Sequence, residues 1–104
     1  VTAAVVLSTM PIIANAGEIS AVRAQEAAID ILIGNPYGET VDAVKRSIRK
    51  QERVGADDKQ CGEDAWKFTI SVPPSGDMPQ GIKGFLCISR TNGKMLVAGL
   101  PFLH

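Results

Sequence analysis

Two cysteines, one histidine and a dense run of cations are the residues of this chain with the most chemistry to offer. Cys61 and Cys87 lack the Cys-x-x-Cys spacing of a redox pair, which leaves a structural bridge or a reactive thiol as the two readings. A bridge would close a loop of about 27 residues and stabilise the fold by about 3 kcal/mol. His104 follows Pro101-Phe102-Leu103 at the end of the sequence. Terminal residues are commonly unanchored, whereas a hydrolytic triad needs a positioned proton acceptor. Zinc needs three or four convergent ligands, and the cysteines are better used in a bridge. Asp57, Asp58, Glu63 and Asp64 sit close together but without the alternation and central glycine of an EF-hand. Gly81 and Gly84 do not make a phosphate-cradling loop. The expectation is a non-catalytic protein with no metal and no cofactor.

The cations are Lys45, Arg46, Arg49, Lys50 and Arg53, five within nine residues. Such a run grips an acidic partner or an anionic lipid surface, or it is simply the solvated face of a helix. The whole chain has eleven Lys and Arg against eleven Asp and Glu, so no global field draws it to nucleic acid. Partners are to be sought locally. No segment reaches the roughly 18 to 20 apolar residues that a bilayer span requires. Candidate partner-binding residues are Arg46, Arg49 and Arg53 of the basic run, Ser75, Asp77 and Met78 of a stiff loop, and Trp66 and Phe85 of the strands. Trp66 also reads as a core anchor.

Val1 to Ala16 carries no charge and ends in Ala14-Asn15-Ala16, the small-residue pattern that leader peptidases accept. Cleavage is expected after Ala16, with residues 17–104 forming one small domain in the periplasm or outside the cell. A buried N-terminal strand or helix is the other reading. Export would favour pairing of the cysteines.

Helical spacing of Ala21, Ala24, Ala28, Ile31 and Leu32 predicts a helix within 18–33. Ser20 offers a cap, and Gly34 with Asn35-Pro36 offers a stop. Thr40 caps a second helix, expected to run to Arg53 with a thin stripe of Val41, Val44 and Ile48. Trp66, Phe68, Ile70 and Val72 alternate with polar residues as in a strand buried on one face, and Pro73-Pro74 ends it. Ile82 to Arg90 and Met95 to Leu100 flank Asn92-Gly93, a two-residue hairpin signal that sets Arg90 opposite Met95 and Ile88 opposite Val97. The fold expected is α+β: two N-terminal helices packed on a three-stranded antiparallel sheet ending in a β-hairpin. Both faces of that sheet are partly apolar, which leaves room for a second layer, a partner or a homodimer through the sheet.

Trp66-Lys67-Phe68-Thr69-Ile70 and Ser89-Arg90-Thr91-Asn92-Gly93-Lys94-Met95-Leu96 resemble the strand and hairpin of the PepSY group of small exported domains. Ser89 stands where that group has an acid, and Asn92 where it has threonine. The same Trp-led strand, glycine-containing loop and Asn-Gly hairpin are similar to exported NTF2-like immunity proteins. The first resemblance implies a regulatory or peptidase-inhibiting module that binds another protein. The second implies capture of a toxic enzyme. Neither implies a catalytic residue.

Overall fold

The computed structural model describes residues 18–76 and 78–101. The expected leader and its cleavage point, Asp77 and His104 lie outside the described residues. The element order is α1 (Ala21–Leu32), α2 (Val41–Ser47), β1 (Ile48–Val54), β2 (Ala65–Val72), β3 (Ile82–Ser89) and β4 (Met95–Gly99). The fold is α+β, with both helices preceding one antiparallel sheet of strand order β1-β2-β3-β4.

Both helix starts follow from a hydroxyl. Ser20 Oγ accepts a hydrogen bond from Arg23 N at 3.1 Å, and Thr40 Oγ1 accepts one from Ala43 N at 3.1 Å, each satisfying an orphan amide of a first turn. Between the helices Gly34 and Gly38 exchange backbone hydrogen bonds of 2.6 and 2.9 Å, closing a loop that turns Tyr37 inward. The Tyr37 hydroxyl donates to Pro101 O.

The second helix is much shorter than its spacing predicts. It ends at Ser47, and Ile48–Val54, expected to be helical as far as Arg53, is an edge strand that makes the sheet four-stranded rather than three-stranded. Lys, Arg, Gln and Glu are good helix formers, but the open edge of β2 takes this segment as a strand and overrides their preference. The pairing Ile48↔Ile70 and Lys50↔Thr69 skips Arg49, which marks a β-bulge.

The hairpin register also differs, by one residue at Phe85, Leu86 and Cys87 and by two at Ile88. Phe85 faces Gly99, Leu86 faces Ala98 and Cys87 faces Val97, with a shift before Ile88↔Met95. Ser89 is the cause: its Oγ accepts from Thr91 N at 3.1 Å and from Asn92 N at 3.4 Å, and its carbonyl accepts from Gly93 N at 3.0 Å. The turn is thereby wider than a two-residue type I′ loop, with Gly93 at φ +76° supplying its left-handed position.

The main core lies between α1, α2 and one sheet face, with Ala24, Ala28, Leu32, Val44, Phe68 and Leu86 buried among its members. Trp66 packs against it, and its indole N–H donates to Ile19 O at 3.1 Å. A second, smaller cluster of Cys61, Ala65 and Cys87 on the other face is edged by Val54, Phe85 and Leu96. Cys61 and Cys87 form a disulfide with Cα atoms 5.7 Å apart, tying the connector between β1 and β2 to the middle of β3. Among the described residues no helix is long and apolar enough to cross a membrane.

Candidate functional site

One end of the sheet carries an open groove. Its floor exists because β2 runs past β1: Ile48↔Ile70 is the last pair, and Ser71 and Val72 continue with no strand beside them on that side among the described residues. The Pro36-Tyr37-Gly38 loop forms one wall. The end of α2 and the start of β1 form the other, giving a cleft of about 650 Å³. A second cleft of about 520 Å³ adjoins it and is lined by Asn35, Pro74, Ser75 and Met78, together with the shared Pro36, Val72 and Pro73. The two make one surface channel. Three of its walls are prolines, whose fixed φ keeps them in place.

Three cations rim the wider part. Lys45 and Arg46 come from the last turn of α2, where positive charge suits the carbonyl end of a helix. Arg49 is the residue that the β-bulge leaves unpaired, and a bulge redirects its side chain out of the regular alternation. None of the three makes an ion pair among the described residues, and no carboxylate among them lines either cleft. Ser47 Oγ, at the base, donates to Tyr37 O at 2.6 Å and so holds α2 against the Pro36 wall.

The loop forming the far wall is pre-shaped. Ser75 N donates to Met78 O at 2.9 Å, Met78 N donates to Ser75 O at 3.1 Å, and Gly81 N donates to Met78 O at 3.0 Å.

The residues singled out by sequence are thus divided among four places. Arg46, Arg49, Ser75 and Met78 meet along the groove. Arg53 does not join them: its guanidinium forms two 3.0 Å hydrogen bonds with Glu18, whose carboxyl this contact holds below the ordinary carboxylate range. Arg90 extends that network, with Nη2 3.1 Å from Asp64 Oδ2 and a buried Nε that lies 3.8 Å from Glu18 Oε1 without a hydrogen bond. Trp66 is part of the helix-side packing, and Phe85 lies with the disulfide on the opposite face. Pro73 opens the 73–81 loop that the sequence marks as a contact surface, whereas Pro36 and Val72 are not singled out as site residues, because Pro36 registers as a chain stop and Val72 as the last apolar position of a strand. Among the described residues no group of His, Cys, Asp and Glu is arranged to hold a metal ion.

Comparison of the chain with protein-family models, with curated proteins and with solved structures finds no match.

Proposed function

We propose that this chain is an exported, non-catalytic binding module that contacts another protein through the groove at the Pro73 end of the sheet. The observation that carries this reading is the groove itself: an apolar, proline-walled floor with three cations and no carboxylate lining it among the described residues. The channel is open to solvent rather than enclosed, which suits a protein segment lying along it better than a small molecule that must be mostly surrounded. The Cys61–Cys87 disulfide is consistent with an oxidising compartment. A PepSY-like role, regulating or inhibiting a peptidase, fits a module of this kind.

The test is site-specific photo-crosslinking in the cells that make the protein. A benzophenone side chain at Ser71 or Ser75, which line the groove, is expected to give a discrete protein adduct, and one at Val97 on β4 is not. Adducts from Val97 alone would move the contact to the far edge of the sheet and overturn the reading.

A second reading, an immunity protein that blocks a toxic enzyme, draws on the reciprocally bonded Ser75–Met78 loop. A loop already tightened pays little ordering entropy on entering a cleft. Inhibition of a cognate enzyme that is lost on substituting Ser75 and Met78, yet survives charge reversal at Arg46 and Arg49, would favour it.

A further inference from the structure

We infer that the occupant of the groove is an extended acidic segment of a partner protein, its carboxylates on Lys45, Arg46 and Arg49 and an apolar side chain on the Val72–Pro73 floor. This inference rests on the groove being the contact surface.

Charge distribution is the first argument. The chain is neutral overall, and several of its other cations are already matched: Arg53 and Arg90 with Glu18, Lys50 with Glu52, Lys67 with Asp58. Against that background three neighbouring cations that form no ion pair among the described residues, even with Asp42 one turn earlier on α2, are a local imbalance. Exposed charges are screened beyond about 8 Å at physiological salt, so the imbalance acts on a group seated in the groove and not on a distant one. The planar guanidinium forks of Arg46 and Arg49 match carboxylates in a two-pronged geometry.

The floor is the second argument, because it separates a peptide from other anions. Single-stranded nucleic acid binds through aromatic faces on which bases stack. Tyr37 is the one aromatic lining the groove, and it is only 3% exposed. An anionic membrane is met by apolar groups that project from a basic face. Here, among the described residues, none of the exposed large apolar side chains lines the groove, where Ile48, Val72 and Met78 are half-buried, so no apolar group of that size projects from among the cations toward a bilayer. An extended strand also finds Ser71 and Val72 with no strand beside them on that side among the described residues.

The experiment uses the oxidised chain and fluorescently labelled synthetic peptides in which Glu alternates with Leu, with Gln-for-Glu and Lys-for-Glu counterparts. Anisotropy should show saturable binding of the Glu peptide, weakened about tenfold by the Gln replacement, as the loss of two charge-assisted contacts implies. Added salt should weaken it further. R46E/R49E should reduce binding by at least about tenfold, whereas Lys83→Glu, an exposed change on β3, should leave it unaltered. Amide shifts on titration should map to Val72 and Met78. Equal binding of the Glu and Gln peptides, indifference to R46E/R49E, or tighter binding to phosphatidylglycerol vesicles or to an oligonucleotide would overturn the inference. If Ser71 and Ser75 still crosslink to a protein in that event, only the acidic chemistry falls. If they do not, the groove reading falls with it.

Discussion

Asp58 shows how much one side chain organises. Its Oδ2 accepts from Cys61 N at 2.8 Å and Gln60 N at 3.1 Å, while Oδ1 meets Lys67 Nζ at 3.2 Å, so a single carboxylate shapes the loop that carries the disulfide. The Cys61 amide, opposed by desolvation and aided by Lys67, holds this carboxyl below its ordinary range. Glu18 is lowered in the same sense, chiefly by Arg53. The fold prefers both groups charged, so their stabilisation is complete above the unfolded carboxyl range near about pH 4 and is lost as the pH falls through the lower folded values. The melting temperature should therefore hold between pH 7 and 5 and drop below about pH 4. Asp58→Asn should melt several degrees below the parent at pH 7, with the gap narrowing toward pH 3. Calorimetry showing a gap that does not change with pH would contradict the assignment. At this scale the sequence was informative where a residue acts on its neighbours, as Ser20 and Thr40 do at the helix starts. It was silent where a residue acts across the chain: nothing near Tyr37 announces that its hydroxyl reaches Pro101, and nothing near Arg53 announces Glu18.

Among the elements, the contrast between α2 and β1 is the most instructive. Val41, Val44 and Ile48 have helical spacing, and the residues after them are helix formers, yet the helix stops after seven residues. What decides this is the edge of a strand that begins at Ala65, which no local pattern around Ser47 contains. The basic run is consequently split. Lys45, Arg46 and Arg49 face the groove, while Lys50 and Arg53 find Glu52 and Glu18 along the strand. The hairpin slipped for a similar reason, since Asn92-Gly93 alone points to a two-residue turn but the Ser89 hydroxyl competes for its amides. A test of how the elements are seated falls on Gly38. A methyl group there would lie 2.6 Å from Val44 N and 2.7 Å from Ala43 C, both backbone atoms of α2, at a φ of +152°. Gly38→Ala should cost roughly 2 kcal/mol or more in urea melts, whereas Gly76→Ala, which meets nothing within 4 Å, should stay within about 0.5 kcal/mol. Equal behaviour of the two would mean that the Gly34–Gly38 loop does not hold α2 in place.

Taken whole, the molecule is a sheet with a thick side and a thin side. The helices and the larger cluster bury one face, and among the described residues the apolar cluster on the other has three buried members, two of which are the bridged cysteines. Two cysteines in a small domain, without the redox spacing, were enough to anticipate the bond, because small cores need such constraints. Cys61→Ala/Cys87→Ala should lower stability by about 3 kcal/mol in urea melts. Hydrogen exchange should then speed up first at 55–64, with Phe68 and Leu86 amides on the helix side following only the global loss. A variant as stable as the parent would show that the connector needs no covalent tie.

The two borders of the sheet are not alike. β1 carries Arg49, Lys50, Glu52 and Arg53 along its length, whereas β4, Met-Leu-Val-Ala-Gly, carries no ionisable side chain and leaves Met95 and Val97 about two-fifths exposed. Charged strands resist being extended by a neighbour, and uncharged ones invite it. With one border guarded and the other bare, at most a single edge is open to an added strand, so strand-by-strand growth into a ribbon has nowhere to continue.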